Sequence, residues 1–264
     1  MCHKDSAEQP VHAIFKTDHG RLNGGGADSC ISCHGESKDH SRGPSKNPPE
    51  RSFGPKWPLP AADANGVCLE CHQKESQMYW MGSVHDQEEL ACTDCHNSHA
   101  SRDPMLGSAD QQLDKCLSCH TRQQADLRLP SRHPILEGKT ACVDCHNPHG
   151  SSTEAQLIAP TLNDNCYSCH QEKRGPYLWE HQPVSEDCSY CHTPHGSVNN
   201  NLLTTRAPYT CQQCHSAAAH PSQAYDGVST RSGSSNQYIL GKSCMNCHSQ
   251  VHGSNHPSGA RLTR

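Results

Sequence analysis

Residues 133–170 read HPILEGKTACVDCHNPHGSSTEAQLIAPTLNDNCYSCH. They hold the pattern Cys-x-x-Cys-His twice, with one further histidine before the first copy, His133, and another just after it, His149. The same order of features returns around residues 85–120 and 181–215. The segment is therefore one copy of a repeat that holds two motifs and two extra histidines, and such a period predicts an array of similar units.

Nine complete motifs use every cysteine except Cys2. On a helical turn, residues three and four apart share a face, so both thiols can reach the vinyl groups of one haem while the histidine turns toward the iron. This spacing is typical of c-type haem attachment. The predicted covalent ligands are Cys30, Cys33, Cys68, Cys71, Cys92, Cys95, Cys116, Cys119, Cys142, Cys145, Cys166, Cys169, Cys188, Cys191, Cys211, Cys214, Cys244 and Cys247, and the predicted proximal iron ligands are His34, His72, His96, His120, His146, His170, His192, His215 and His248.

Zinc ribbons and a disulfide scaffold are the two other interpretations of paired cysteines. Neither needs a histidine directly after the second cysteine. Because the chain has only 22 histidines in 264 residues, nine such coincidences are negligible.

Outside the nine motifs and His3, twelve histidines remain for nine or ten haems, which favours bis-histidine ligation. We expect His12 to be a surface residue and one of His252 and His256 to be surplus. Methionine is the competing sixth ligand, with Met78, Met81 and Met105 outside the motifs, but the supply of histidine makes it unnecessary. The predicted distal ligands are His19, His40, His85, His99, His133, His149, His181, His195, His220, His252 and His256.

Cys2 and His3 have the form of the end of a tenth motif. We expect them to belong to a tenth haem, with His3 proximal and His19 a nearby distal ligand. A c-type cytochrome is exported before haem attachment, so we also expect this sequence to be truncated at its N-terminus, with the first cysteine of that motif upstream.

The composition indicates where the core lies. Only 32% of residues are hydrophobic, with two Phe and three Trp, which is too little for an ordinary core. Ten porphyrins, covalently held, would supply the missing apolar material. The predicted fold is a multihaem cytochrome c, mostly irregular with short helices and little or no β-strand. We expect one elongated domain over 1–264, packed around the haems, with repeat-like units at about 1–84, 85–132, 133–180, 181–219 and 220–264.

The net charge of the chain and the predicted ligation of the iron argue against several classes of function. The net charge of −5 is mixed along the chain, which argues against a nucleic-acid partner, and no apolar run approaches the roughly 18 residues of a membrane span. Bis-histidine iron has no open position for substrate, so we expect an electron carrier and not an enzyme. Two alternatives stay open: a multihaem oxidoreductase with an open site, of the nitrite or hydroxylamine type, and a polymerising cytochrome filament.

Several phrases resemble the periplasmic decahaem c-type cytochromes of the MtrA, PioA and DmsE kind. They run from CHKDSAEQPVHAIFKTDHG through GSVHDQEELACTDCHNSH, RHPILEGKTACVDCHNPHGS and DNCYSCHQEKRGPYLWEHQPVSEDCSYCHTPHGS to HGSNHPSG. The resemblance implies a periplasmic protein of a Gram-negative bacterium, inserted into an outer-membrane β-barrel porin. It would take electrons from a periplasmic or inner-membrane-bound cytochrome and pass them to an extracellular multihaem cytochrome or terminal reductase, in metal reduction or oxidation.

Overall fold

The computed structural model describes residues 3, 10–215, 244–257, 259 and 260. Within these ranges the regular structure consists of short helices joined by turns and loops. The α-helices are α1 (Ala27–His34), α2 (Lys38–Arg42), α3 (Ala61–Leu69), α4 (Val84–Gln87), α5 (Cys92–Cys95), α6 (Ala109–Leu117), α7 (Thr121–Asp126), α8 (Leu162–Tyr167), α9 (Gln182–Glu186) and α10 (Tyr209–Gln212).

Single turns of 3-10 helix alternate with these α-helices. They occur at Val11–Lys16, His19–Gly24, Glu75–Tyr79, Pro104–Leu106, Cys142–Asp144, Glu154–Gln156, Gln171–Lys173, Cys188–Tyr190, Asn200–Leu202 and Cys244–Asn246. None of the helices in the described ranges is long and apolar enough to cross a bilayer.

Strand is limited to two antiparallel pairs of two-residue strands in the part of the chain that the structure describes. The strand β1 (Ser131–Arg132) pairs with β3 (Gly196–Ser197), and β2 (Trp179–Glu180) pairs with β4 (Gly253–Ser254). The predicted fold class, an irregular multihaem chain with short helices and very little strand, is confirmed.

The chain divides into two compact units. The first contains Met1–Cys119 and Gly138–Ile158, and the second contains His120–Glu137 and Ala159–Arg264. The single domain and the five repeat-like units expected from the sequence stay predictions.

Few apolar side chains are buried. Among the described residues of the first unit these are Ile14, Ala64, Trp80 and Leu117, and in the second unit Leu127. At about 1.5–3 kcal/mol for each large buried apolar side chain, this set falls far short of the entropy lost on ordering a chain of 264 residues. The fold therefore depends on a further apolar component.

Candidate haem sites

Each motif folds as a turn of helix. In the motif that begins at Cys68, the N–H of His72 donates to the carbonyl of Cys68 at 2.9 Å, four residues back, and the His96 N–H donates to the Cys92 carbonyl at 2.8 Å. The same bond, 2.9–3.0 Å long, closes the motifs that end at His146, His170, His192, His215 and His248. The helical turn expected at the motifs is therefore present.

Motif histidines lie opposite histidines from outside the motifs. Seven such pairs occur within single compact units, with ring centroids 6.0–6.3 Å apart. In the first unit the pairs are His3 with His40, His72 with His19, His34 with His99, and His96 with His149. In the second unit they are His170 with His133, His215 with His181, and His192 with His252.

The spacing of these rings suits one iron ion between two imidazoles. A metal–nitrogen bond of about 2 Å on each side, plus about 1 Å from each nitrogen to its ring centre, separates two axial centroids by about 6 Å. The pairs His96–His149 and His192–His252 are also nearly parallel, with 13° between the ring planes. The donor set and its spacing therefore fit haem iron with two histidine ligands.

Backbone carbonyls select the tautomer of many of the histidines predicted as iron ligands. A carbonyl only accepts hydrogen bonds, so an imidazole Nδ1 that contacts one carries the proton, and Nε2 keeps the lone pair that a metal needs. These contacts, 2.5–3.2 Å long, join Nδ1 to the carbonyl oxygen in the pairs His34 with Arg51, His40 with Asn47, His85 with Pro148, His133 with Pro194, His146 with Ala155, His181 with Val251, and His192 with Asn201.

The histidines that follow a motif are held in their neutral form. Burial lowers the pKa of His99, His149 and His252 below its ordinary value, with nearby histidines adding to the effect. Because only a neutral imidazole can bind iron, this environment favours ligation near neutral pH.

Two distal candidates that precede a motif, His85 and His181, bond to the backbone next to two distal candidates that follow a motif, His149 and His252. The carbonyls that accept from His85 and His181 belong to Pro148 and Val251, the residues directly before His149 and His252. One short contact thus orients one ring and positions the backbone of the next.

A glycine directly follows each of the distal candidates His149, His195 and His252 and permits close packing. A Cβ at Gly150 would clash with the carbonyl oxygen of Tyr79, one at Gly196 with the carbonyl oxygen of Asp126, and one at Gly253 with the ring of Tyr177. These glycines were not predicted as site residues, although the repeated His-Gly in the sequence was a usable signal.

Two buried asparagines tie successive motifs together. Asn65 Oδ1 accepts from the N–H of Cys92 at 2.7 Å, and its Nδ2 donates to the Leu90 carbonyl. Asn163 Oδ1 accepts from the N–H of Cys188 at 2.8 Å, and its Nδ2 donates to two carbonyls in α9. Sequence reasoning missed both, although each asparagine stands three residues before the first cysteine of a motif.

First cysteines of successive motifs contact each other. The thiols of Cys116 and Cys142 are hydrogen-bonded, which lowers the pKa of Cys142 to about 7 and raises that of Cys116. Cys166 and Cys188 form the same contact, which lowers the pKa of Cys166 to about 7. Motifs that are consecutive in the chain are therefore spatial neighbours at these points.

His12, expected to be a surface residue, and the other predicted ligands occupy defined places. His12 stacks on Phe15 at 6.5 Å, and the backbone of His256 accepts from Trp179 Nε1 at 3.0 Å.

His19 faces His72 and not His3, which differs from the sequence expectation. The ring opposite His3 is that of His40. His120 precedes α7, His195 precedes β3, and His248 closes the motif at Cys244. Cys2 and His220 lie outside the described residues.

Within the described ranges, no cluster of three or more His, Cys, Asp or Glu side chains suited to a metal ion occurs. In each of the seven pairs the partner of the motif histidine is a histidine and not a methionine.

Comparison with known proteins agrees with this geometry. Residues 30–112 match the family of NrfB-like cytochrome c-type proteins, and residues 133–175 and 181–220 match the doubled CXXCH motif family. The multiheme cytochrome MtrA of Shewanella baltica (strain OS185) is 48% identical over 271 aligned positions, which cover all of this chain and 80% of that protein. The chain is thus an electron-transfer protein with several c-type haems, and it belongs to the MtrA family of multihaem cytochromes.

Proposed function

We propose that this chain conducts electrons through ten bis-histidine c-type haems, as the periplasmic and trans-outer-membrane part of a porin–cytochrome complex. The observation that carries the proposal is the set of seven opposed histidine pairs, each with centroids 6.0–6.3 Å apart. The two histidines of each pair would hold one haem iron, which would supply one-electron chemistry when bound.

The chain's own residues would anchor each haem and orient its histidine ligands. Motif cysteines anchor the cofactor, and carbonyls such as that of Pro148 hold the imidazole proton on Nδ1. Because each described pair provides two imidazoles, no position is left for a substrate, which supports a carrier and not an enzyme. The contact between His3 and His40 at 6.3 Å supports a tenth site that uses Cys2 and His3.

The arrangement of motifs supports conduction along the chain. Cys116 contacts Cys142, and Cys166 contacts Cys188, so groups attached at consecutive motifs lie beside each other at these points. We propose that electrons enter from a periplasmic or inner-membrane-bound cytochrome and leave to an extracellular multihaem cytochrome or terminal reductase. The similarity to a Shewanella multiheme cytochrome supports this location in a Gram-negative bacterium, with an outer-membrane porin as partner.

Reconstitution tests the conduit directly. Liposomes loaded with a reduced dye would receive the haem-loaded cytochrome, the co-purified outer-membrane porin, or both, and an insoluble ferric acceptor would be added outside. We expect rapid dye oxidation only with both proteins. Equal rates with the porin alone, or failure of the cytochrome to associate with any porin, would leave a periplasmic shuttle and overturn the trans-membrane part.

Ligation has its own test. Mass spectrometry of the native protein should give ten haems, and the reduced protein should not bind carbon monoxide promptly at neutral pH. Prompt binding at one haem of the wild-type protein would instead support the open-site oxidoreductase.

A further inference from the structure

Among the motif histidines His96, His146 and His192, His96 has a carboxylate partner where the other two have carbonyls. In another part of the repeat, Nδ1 of His170 lies 3.6 Å from Glu172 Oε1, at a more exposed position. Nδ1 of His146 contacts the carbonyl of Ala155 at 2.7 Å, and Nδ1 of His192 contacts that of Asn201 at 2.8 Å. Nδ1 of His96 contacts Oδ2 of Asp103 at 2.5 Å. The three motifs occupy equivalent positions in the repeat, so the change of partner is specific to His96.

The loops after the motifs explain the difference. After His146 and His192, two consecutive residues adopt positive φ, 54° at both Ala155 and Gln156 and 58° and 57° at the next pair, Asn201 and Leu202. This left-handed turn points the carbonyl of its first residue at the motif ring. After His96, the 3-10 helix at Pro104–Leu106 has no residue of positive φ, and the residue at its N-cap is Asp103.

Asp103 is held in position from two sides. Its Oδ1 accepts from the N–H of Met105 at 3.0 Å and from the N–H of Asn97 at 3.4 Å, while Oδ2 faces the imidazole. Pro104, directly after it, further limits the local backbone. The carboxylate therefore approaches His96 in one orientation.

The charge of Asp103 is only weakly screened. Its side chain is 15% exposed, and that of His96 is 33% exposed. Among the described residues, no lysine or arginine lies within ion-pair distance of Asp103. A charge-assisted hydrogen bond is roughly twice as strong as a neutral one, so Asp103 acts on this ring more strongly than a carbonyl would.

We propose that Asp103 is a positioning and tuning residue that lowers the reduction potential of the haem held by His96 and His149, relative to haems whose motif histidines bond to carbonyls. The inference rests on the proposed ligation by this pair. A hydrogen bond to a carboxylate increases the basicity of the ring, which makes Nε2 a stronger donor. Reduction adds one electron and converts Fe(III) to Fe(II), so a stronger donor and a nearby negative charge both favour the oxidised state.

The test is a redox titration of the haem-loaded protein with three substitutions. Asp103→Asn keeps the shape and one acceptor oxygen but removes the charge, and Asp103→Glu restores the charge. Asp110→Asn removes an equal charge from an exposed position in the first turn of α6. We expect Asp103→Asn to raise the potential of one haem by about 59 mV or more, which corresponds to a tenfold change in the one-electron equilibrium.

Asp103→Glu should give a redox titration curve close to that of the wild type. Asp110→Asn should leave the wild-type curve unchanged. Repeating Asp103→Asn in a His149→Ala background, where the affected haem carries a high-spin spectrum, should assign the shift to that haem. Curves for Asp103→Asn and Asp110→Asn that coincide would overturn the inference. Loss of one haem from Asp103→Asn, measured by mass spectrometry, would also overturn it, because Asp103 would then be needed for haem attachment. Absence of haem or of the bis-histidine spectrum in the wild type would instead refute the proposed function.

Discussion

The imidazole of His252 faces that of His192, with 6.2 Å between centroids and 13° between planes. Four residues later, the backbone of His256 accepts from Trp179 Nε1 at 3.0 Å and donates to Ser254 Oγ at 3.1 Å. Near the end of the chain, the ring of His252 therefore faces a motif histidine, and the backbone of His256 joins Trp179 to Ser254.

We predict that His252→Ala opens one haem to an added ligand. The variant should convert one haem of about ten to a high-spin form that binds carbon monoxide after reduction, because its sixth ligand is removed. Gln171→Ala, which removes an exposed amide, should bind none. Optical titration with carbon monoxide checks this, and equal titrations of the two variants would overturn ligation by His252.

We predict that Asn163→Ala destabilises the protein by about 2–3 kcal/mol. The substitution leaves the part-buried N–H of Cys188 without its acceptor and the carbonyls of Val184 and Ser185 without their donor. Guanidinium unfolding of the haem-loaded protein measures the change. Gln171→Ala, which removes an exposed amide, should change stability by less than about 0.5 kcal/mol; equal effects of the two would show that the Asn163 bonds contribute little.

We predict opposite effects for alanine at two glycines. Gly150→Ala should cost about 2–4 kcal/mol, because φ is +105° there and the new Cβ would clash with the Tyr79 carbonyl. Gly66→Ala, in the middle of α3 with nothing within 4 Å of the new Cβ, should stabilise the protein by up to about 1 kcal/mol. Thermal unfolding distinguishes the two signs. If Gly150→Ala is neutral, His149 does not require the close approach of this turn.

We predict that the chain without attached haem does not fold. The described part buries only five apolar side chains, namely Ile14, Ala64, Trp80, Leu117 and Leu127. Chain produced without haem attachment should lack near-ultraviolet circular dichroism and should exchange its amide hydrogens rapidly, whereas the haem-loaded protein should be protected. Slow exchange in the haem-free chain would mean that side chains alone supply enough core.

Local features of the site were predictable because they depend on residues that are close in sequence. The helical turn from Cys68 to His72 follows from the spacing of the motif, and so does attachment of haem c. The low apolar content correctly predicted an irregular fold with little strand. Cys2 and His3, which have the form of the end of a motif, also indicated His3 as a site residue, and His3 faces His40 in the structure.

The sequence did not predict which histidine faces each motif histidine, because the two come from distant parts of the chain. His34 faces His99 although His40, His72 and His85 all lie between them in sequence. Every spare histidine has the same chemistry, so sequence order alone gives no reason to prefer one over another.

The partner of each ring nitrogen depended on loop conformation. Asp103 was an unremarked residue of the sequence, and only the turn at Pro104–Leu106 brings its carboxylate to His96. The sequence by itself thus determined that the chain is a multihaem c-type cytochrome, because motif spacing and covalent chemistry are local. The tertiary structure alone decided which histidines face each other and which groups contact their ring nitrogens, because those contacts depend on how distant segments pack.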